Sequence, residues 1–382
     1  MTNLGAHPVL VVAPGELFAG AERQVLSLLA YLGLDSPATL AVFHDRELAR
    51  RARGLGVDVV ILPGSGPLSL AAARRIAAVV REKGISVVHF NGYKAAAHVA
   101  LARMLVPFGA VATIHGAPEL HGLSGAARHR ARVYDICERL AIRLTGADVV
   151  FVTRELAQRM HRLRDRTRHH VVLNGIDRKT LENLPRPAQL DSSTCNVVVV
   201  GRLDRVKGVN FAVEAMRDAQ IPAAVRLVIV GDGPERPHLE RTSVEYGLSG
   251  RISFTGFRSD AAAFIAHADL VLLPSLHEGL PYTMLEAIAA GTPLAASAVG
   301  GLAETLENQR TALLFPVGDV AAITAAIKFV ATEPVRTRAL AERARHELLP
   351  RFDAATMAQE YLGIYAFARS GPALQDAAPR NS

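Results

Sequence analysis

Short apolar runs rich in β-branched residues recur along the chain, and each is followed by a segment of helical length. The runs are continuous rather than alternating, which is typical of parallel strands buried on both faces. Six runs precede a polar, proline-containing stretch at 184–193, and five follow it. The pattern predicts an α/β protein with two doubly wound, Rossmann-like domains in tandem that face a central cleft. The predicted strands are 9–14, 38–43, 57–62, 85–90, 110–115, 147–152, 195–201, 225–231, 252–257, 269–275 and 292–297.

At 382 residues the chain is too long for one hydrophobic core. The predicted domains are therefore 1–185 and 186–352. The last periodic segment, 354–368, is expected to be a helix, and 370–382 is expected to be a disordered tail.

Composition excludes several classes of protein. The two cysteines, Cys137 and Cys195, cannot form a disulfide framework, and they have no metal-ligand spacing. The first residues lack a basic stretch before their apolar run, and no apolar run approaches the ~18 residues that cross a bilayer. A cytoplasmic protein, at most peripheral on the inner face of the cell membrane, is expected.

The net charge of +7 is unevenly spread along the chain. Through Pro185 there are 24 basic residues against 15 acidic ones, a balance of +9, whereas the remainder has a balance of −2. This asymmetry suggests an anionic partner for the first half, although solvated helix faces explain it equally well. Few aromatic residues disfavour a nucleic-acid reader.

The loop GRLDRVKG, 201–208, follows the first strand of the second half. It places Arg202 and Lys207 between two glycines at the carboxyl end of a strand. Ligands of open parallel sheets bind at such strand ends. An arginine fork and a lysine point charge beside a helix start predict a clamp for a diphosphate, and a solvated turn with ordinary surface charges is the alternative.

The stretch HEGLPYTMLEAIAAGTP, 277–293, carries two carboxylates around a predicted helix start at Pro281. Glu278 lies before this helix and Glu286 lies inside it, so the two do not have the i, i+4 spacing of metal ligands. The pair alone leaves open a hydrolase acid pair, a metal site or a device for holding sugar hydroxyls.

Other strand-end loops carry weaker signals. Gly20 precedes a predicted helix at 21–32, and Gly233 lies in the turn of VIVGDGPE. Backbone amides at such glycines can approach a phosphate, and plain turns explain both positions as well. His115 and His89 end two consecutive predicted strands, and we expect only one of them to be functional.

These motifs, in this order, resemble those of the family 4 retaining glycosyltransferases with the GT-B fold. The matching pieces run collinearly from about residue 9 to 365. They are Gly201-Arg202 with Lys207-Gly208, Pro274-Ser275 with Glu278 and Glu286, Leu173 to Asp177, Val230 to Pro234, Phe254 to Gly256, Gly291 to Pro293, Gly300-Gly301 with Glu304, and Gly20 to Arg23, where Ala19 replaces the first glycine of the family loop.

The resemblance implies a role for each matched residue. Arg202 and Lys207 would neutralise the leaving nucleoside diphosphate, and His115 would lie beside the donor sugar. Glu278 would bind hydroxyls of the transferred sugar, and Glu286 would hold the nucleotide ribose. The other expected donor-side residues are Gly20, Gly201, Gly233, Phe257, Arg258, Gly279 and Leu280, with the base against the strand end at 254–258.

The resemblance also implies the domain roles and the reaction. The first domain would bind the acceptor, with helix 354–368 packed back on it, and the second would bind the nucleotide sugar. His89, Asn91 and Lys94 are acceptor-side candidates. The expected reaction is transfer with retention to a glycan or a polyprenyl or other lipid-linked acceptor, with the nucleotide sugar as co-substrate and no metal or other cofactor.

Three rival functions remain at this point. A sugar-nucleotide epimerase would need no acceptor, a glycoside hydrolase would have no use for the Arg202 and Lys207 pair, and a non-catalytic sugar-binding protein would bind without turnover. A metal-dependent transferase would need an Asp-x-Asp motif, which the chain lacks. The basic segments 128–143 and 159–170 suggest contact with an anionic membrane that carries the acceptor, and solvated helix faces are the alternative.

Overall fold

The computed structural model describes residues 8–35, 37–64, 66, 68–116, 125–160 and 168–369, with only the backbone of 33–35 and 126–128. The predicted tail at 370–382 and most of the basic segment at 159–170 lie outside these residues. The described residues form two compact units: those up to Gly175 together with those from Ala354 onwards, and those from Ile176 to Asp353. Within it, no helix is both long enough and apolar enough to cross a membrane.

The first unit contains a seven-stranded parallel sheet in the order β3-β2-β1-β4-β5-β6-β7. Its strands are β1 Val9–Ala13, β2 Ala38–Val42, β3 Asp58–Ile61, β4 Val87–Asn91, β5 Gly109–Ile114, β6 Asp148–Phe151 and β7 His169–Val171. Its helices are α1 Gly20–Asp35, α2 Glu47–Gly54, α3 Leu70–Glu82, α4 Gly92–Arg103, α5 Gly125–Thr145, α6 Arg154–Arg159 and, from the end of the chain, α14 Ala354–Arg369.

The second unit contains a six-stranded parallel sheet in the order β10-β9-β8-β11-β12-β13. Its strands are β8 Cys195–Val200, β9 Val225–Val230, β10 Ile252–Gly256, β11 Leu270–Leu273, β12 Leu294–Ser297 and β13 Leu313–Phe315. Its helices are α7 Val209–Ala215, α8 Arg236–Glu245, α9 Ala261–Ala266, α10 Tyr282–Ala290, α11 Gly300–Thr305, α12 Val320–Thr332 and α13 Pro334–Leu348.

The central strands of both sheets are buried on both faces, which explains their continuous apolar sequences. All five residues of β1 and all four of β11 are buried. The edge strand β3 is partly exposed. The two-domain α/β prediction is confirmed, and the two sheets are Rossmann-like.

The boundary between the units lies before the predicted one at 185. The Ile176 amide donates to the Phe352 carbonyl at 2.7 Å, so the segment after Gly175 joins the second unit. The polar stretch at 184–193 is thus a surface segment within the second unit rather than the linker that precedes it.

Helix α14 completes the core of the first unit. Met357, Tyr361 and Tyr365 are buried in the same apolar cluster as Val11 of β1 and Leu28 of α1. The first unit is therefore built from both ends of the chain.

Candidate functional site

Two neighbouring strands of the second sheet end in loops that diverge. The chain leaves β8 towards β9 on one side, whereas β11 leads to β12 on the other. This reversal of strand order is a topological switch point, where open α/β sheets bind ligands beyond the carboxyl ends of their strands. The loops 201–208 and 274–281 flank it.

The loop 201–208 is held in place by backbone contacts on both sides. Leu203 N donates to Asp232 O at 2.9 Å, and Leu276 N donates to Val206 O at 2.7 Å. Gly208 has a φ of +60°, and a Cβ there would lie 2.1 Å from the carbonyl oxygen of Pro274. A side chain is therefore excluded at Gly208, where the backbones of the two loops are in direct contact.

Lys207 and Glu278 meet between these loops. Lys207 Nζ donates to Glu278 Oε1 at 2.7 Å, and Ser275 Oγ donates to the same oxygen at 2.7 Å. The Glu278 residue is only 7% exposed. A nearly buried carboxylate with two donors on one oxygen has a fixed orientation, so its other oxygen can accept ligand hydroxyls.

The backbone of Glu278 is fixed by α11. Gly300 has a φ of +46°, and a Cβ there would lie 1.9 Å from the Glu278 carbonyl oxygen. Gly301 N donates to that oxygen at 3.3 Å. Only glycine at 300 allows the helix start to approach Glu278 so closely.

Arg202 lies at the rim of the same site. Its side chain is 56% exposed, and its Nε donates to Asp204 Oδ2 at 2.7 Å. A small cavity adjoins it, lined by Gly201, Arg202, Lys207, Leu273, Pro274 and Ser275. The two cations of the predicted clamp thus border one cavity, and the carboxylate of Asp204, which sequence reasoning missed, is paired with one of them.

Glu286 is the fifth residue of α10, which begins directly after Pro281. It is 7% exposed, although a carboxylate on a helix normally faces water. Gly279 and Leu280 lie between the two acids in sequence; Gly279 is half-buried and Leu280 is buried. The structure therefore places Glu278 and Glu286 at the two ends of one short, buried segment.

The remaining predicted donor-side residues of this unit follow β9 and β10. A Cβ on Gly233 would lie 2.4 Å from the Leu203 carbonyl oxygen, so this glycine lets two strand-end loops touch. Phe257 is 62% exposed. Arg258 makes a two-point contact with Asp260 at 2.8 and 2.7 Å.

A larger cavity of the second unit lies elsewhere, at the amino ends of β8, β9 and β10. Its arginines, Arg226 and Arg251, donate to backbone carbonyls of this same edge. Since the clamp and both glutamates lie at the opposite edge of the sheet, we place the candidate site there and not in this cavity.

The first unit has a comparable switch point between β1 and β4. Lys94 Nζ lies 3.3 Å from Glu16 Oε1, 3.4 Å from His44 Nε2 and 4.7 Å from the ring centre of Phe43. The Lys94 side chain is only 5% exposed, whereas that of Glu16 is 53% exposed. Glu16 and His44 were not singled out from the sequence, and they give Lys94 its polar surroundings.

His115 follows β5 and is partly buried. Its Nε2 lies 3.0 Å from Asn91 Oδ1, which can only accept, so Nε2 carries the proton and Nδ1 remains an acceptor. Burial lowers the pKa of His115 to about 4, so the imidazole is neutral at pH 7. Asn91 is 2% exposed, and it holds His115 rather than facing solvent as an acceptor-side residue would.

His89 is completely buried inside β4. Its ring nitrogens lie 2.8 Å from Tyr365 Oη and 2.8 Å from Thr113 Oγ1, and Thr113 in turn bonds to Tyr361. Burial lowers the pKa of His89 to about 3. The prediction of His89 as an acceptor-side residue is wrong, because no atom of it reaches the surface; it ties α14 to the sheet.

Gly20 begins α1, and a Cβ there would meet no atom within 4 Å. The fold itself thus does not require a glycine at this position, which leaves open space at the helix start. No group of three or more metal-ligating side chains occurs in the part of the chain that the structure describes.

Two parallel Rossmann-like sheets are the architecture of the GT-B class of glycosyltransferases. Models of two known families match the chain, Glycosyltransferase Family 4 over residues 18–180 and Glycosyl transferases group 1 over 194–333. The chain belongs to glycosyltransferase family 4.

Individual relatives match the chain over shorter stretches than the two family models together do. The chain is 36% identical over 156 residues to a 2-deoxystreptamine glucosyltransferase of Streptomyces kanamyceticus, with 40% of each chain covered. It is 34% identical over 182 residues to the lipopolysaccharide core biosynthesis glycosyltransferase LpsE of Rhizobium meliloti, with 47% of this chain and 52% of the relative covered. The matches thus span about half or less of the length of these relatives.

A solved structure extends the likeness to nearly the whole fold. The crystal structure of Anabaena Alr3699/HepE in complex with UDP and glucose has a TM-score of 0.81. It is 21% identical and covers 94% of this chain and 100% of the other. At this identity the comparison establishes the GT-B fold.

Proposed function

We propose that this protein is a retaining glycosyltransferase that moves a sugar from a nucleoside-diphosphate sugar to a glycan or lipid-linked acceptor in the synthesis of a cell-surface polysaccharide or glycolipid. The observation that carries the proposal is the meeting of Lys207 and Glu278 at 2.7 Å beside Arg202 at a sheet switch point. Relatives named for lipopolysaccharide core synthesis and a structural neighbour that holds UDP-glucose support the acceptor class and the donor class.

The chemistry follows from charge development. Breaking the anomeric C–O bond leaves positive charge on the sugar and additional negative charge on the diphosphate. Arg202 and Lys207 stabilise the diphosphate as it leaves, and they do so from a rigid loop, so little reorganisation is needed. Because these cations supply the required positive charge, we propose a reaction that needs no metal ion.

The remaining residues have supporting roles in this proposal. Glu278 accepts hydroxyls of the transferred sugar, and Glu286 accepts those of the ribose. Neutral His115 offers Nδ1 to a donor-sugar hydroxyl. The acceptor attacks from the face that the diphosphate leaves, which gives retention without a protein nucleophile. A covalent sugar adduct on Glu278 would contradict this mechanism.

A screen of UDP-, GDP- and ADP-sugars by thermal stabilisation tests the donor assignment. A donor at 100 times its dissociation constant should add ~2.7 kcal/mol to the free energy of unfolding. Incubating the stabilising donor with and without acceptors then separates transfer from epimerisation, since an epimerase converts the donor alone. Loss of transfer in EDTA would overturn the metal-free part of the proposal.

We also propose that the protein works in the cytoplasm on the inner face of an anionic membrane, and the exposed face of α5 supports this. Four apolar side chains at helical spacing form the α5 stripe: Val133, Ile136, Leu140 and Leu144, which are 40%, 62%, 54% and 69% exposed. Successive members are three or four residues apart, so they lie along one side of the helix.

Basic side chains flank the α5 stripe on both sides. At 100° per residue, Arg130 lies on one flank, and Arg132 and Arg143 lie on the other; all three are exposed. Of the acidic residues of α5, Asp135 pairs with Arg139 at 2.9 Å, and burial next to Asp135 raises the pKa of Glu138 to about 7. An apolar stripe between arginines matches a surface of acyl chains and anionic headgroups.

Co-sedimentation with vesicles tests the membrane proposal. The protein should pellet with phosphatidylcholine vesicles that contain phosphatidylglycerol, and pellet less without it or in high salt. Ile136→Ser with Leu140→Ser should abolish pelleting, whereas Val335→Ser, at an apolar residue of α13 that is 74% exposed, should not. Equal pelleting of these two variants would refute the assignment to α5.

A further inference from the structure

Both clamp cations of the loop 201–208, Arg202 and Lys207, already have a carboxylate partner. The third cation of the loop, Arg205, lies 3.5 Å from Glu235 Oε1. Arg202 Nε donates to Asp204 Oδ2 at 2.7 Å, and Lys207 Nζ donates to Glu278 Oε1 at 2.7 Å. A nucleoside diphosphate therefore meets two ion pairs rather than two unpaired cations. Glu278 has a role in the proposed function, whereas Asp204 does not.

Asp204 also shapes the loop itself. Its Oδ1 accepts the backbone N–H of Lys207 at 3.3 Å and caps the single 3₁₀ turn of Arg205–Lys207. One oxygen of Asp204 therefore contacts the Arg202 guanidinium, and the other contacts the Lys207 backbone. A single carboxylate sets the positions of both clamp residues.

The charge of Asp204 cannot move far from the site. The loop is fixed at Leu203 by Asp232 O and at Val206 by Leu276 N, and Gly208 lies against Pro274. The Asp204 side chain is 18% exposed, so its pair with Arg202 is partly shielded from solvent. When a diphosphate binds Arg202 and Lys207, the negative charge of Asp204 stays beside it.

We propose that Asp204 is a positioning residue that aligns Arg202 with Lys207 and whose negative charge weakens the binding of the nucleoside diphosphate, so that this product leaves faster. The inference rests on the proposed function, because it requires a diphosphate at this loop. The alignment of Arg202 with Lys207 stabilises the transition state. The repulsion between Asp204 and the diphosphate weakens the binding of the product. Product release limits turnover in many transferring enzymes, so both effects raise the overall rate.

Asp204→Asn separates the two effects. Asparagine has the same shape, and its Oδ1 still accepts the Lys207 N–H, but it carries no charge. Removing one charge about 6 Å from a phosphate in a water-accessible site should tighten binding roughly three- to tenfold. The dissociation constants of UDP, GDP and ADP, measured by calorimetry, and their release rates, measured by stopped flow, are the readouts.

Asp204→Ala removes the charge and the cap together. We expect it to lower kcat more than Asp204→Asn does, because Lys207 loses its backbone anchor. Asp218→Asn is the matched control, because Asp218 also accepts a backbone amide that follows it closely in sequence, Gln220 N at 2.7 Å, and lies beyond the other end of α7. Its dissociation constants should equal those of the wild type.

The outcomes distinguish the two levels of the inference. If the wild type binds none of the three diphosphates, the proposed function fails, and the role of Asp204 fails with it. If the wild type binds one of them and Asp204→Asn binds it equally or more weakly, the role of Asp204 is wrong and the proposed function stands. The inference is supported only if Asp204→Asn binds the nucleoside diphosphate more tightly and releases it more slowly than the wild type does.

Discussion

Lys207 and Glu278 are 71 residues apart in sequence and 2.7 Å apart in space, and they meet where the strand order of the second sheet reverses. The pair links a cation suited to a diphosphate with a carboxylate suited to sugar hydroxyls. Because Glu278 is 7% exposed, its charge is shielded from water, and the loss of either partner leaves a costly group behind.

Glu278→Gln should lower kcat/KM by roughly 10- to 100-fold, the equivalent of one charge-assisted hydrogen bond of ~1.5–3 kcal/mol. Glu286→Gln should mainly raise the KM for the donor, because the ribose contact that we propose for it would be the same in the ground state and the transition state. Steady-state kinetics with the donor found by thermal screening measures both. Glu245→Gln, at an exposed residue of α8, is the control, and equal effects on kcat in the two site variants would contradict the assignment.

Lys207→Ala should reduce the transfer rate by about one to two powers of ten, since it removes the proposed cation from the departing diphosphate and leaves Glu278 without its cationic partner. Lys179→Ala, which removes an exposed lysine of the same unit, should leave the rate unchanged. Single-turnover kinetics separates this chemical effect from product release. An unchanged single-turnover rate in Lys207→Ala would remove this residue from the mechanism.

Gly300→Ala should destabilise the second unit by about 2–4 kcal/mol, because the new Cβ would lie 1.9 Å from the Glu278 carbonyl oxygen at a left-handed backbone position. Gly363→Ala is the matched control. Gly363 lies inside α14 with nothing within 4 Å of a Cβ, so alanine there should stabilise by ~0.5–1 kcal/mol. Urea unfolding measures both changes, and a Gly300→Ala protein as stable as the wild type would show that this contact is not tight.

The stability of the first unit should fall in acid because of His89. Burial lowers the pKa of His89 to about 3 in the folded state, against 6.5 for the free side chain. The unfolded chain therefore binds a proton that the folded chain does not between these values. The stabilisation is fully present above pH 6.5 and declines as the pH falls towards 3, by up to ~1.4 kcal/mol per pH unit.

Burial lowers the pKa of His115 to about 4. His115 therefore also makes the free energy of unfolding fall as the pH falls from 6.5 to about 4. Urea unfolding at a series of pH values between 7 and 4.5 gives the slope of the free energy of unfolding. His89→Gln should reduce the slope by one proton, whatever it does to stability at pH 7. Parallel slopes in the variant and the wild type would contradict the neutral, buried state of His89.

The sequence pattern was sufficient for the strands that form the sheet centres, because continuous apolar runs occur only where both faces are buried. It missed β7 and β13, which have three residues each. Strands this short, at sheet edges, carry no periodicity to detect. The predicted strand 85–90 also stopped one residue early: β4 continues to Asn91, so Asn91 and not His89 occupies the strand end.

The sequence draws attention to those residues of the candidate site that belong to a motif within one loop. It does not draw attention to residues whose importance depends on a side-chain partner. Arg202, Lys207 and Glu278 each stand out as residue types at strand ends. Asp204 lies in the same loop as Arg202 and Lys207, and Glu16 lies in the loop between β1 and α1. The partner of each carboxylate is not evident until the loops are placed in space. Pairings such as Glu16 with Lys94, 78 residues apart, come from strand order and not from spacing.

Because helix α14 belongs to the first unit, the two units can complete their folding at different times during synthesis. Tyr361, fully buried against the first sheet, is made after every residue of the second unit. The continuous segment 176–353 can thus fold as soon as it leaves the ribosome, whereas the first unit, although begun earlier, keeps an apolar surface uncovered until residue 369 has been added. Removing α14 would therefore expose apolar surface of the unit that was translated first.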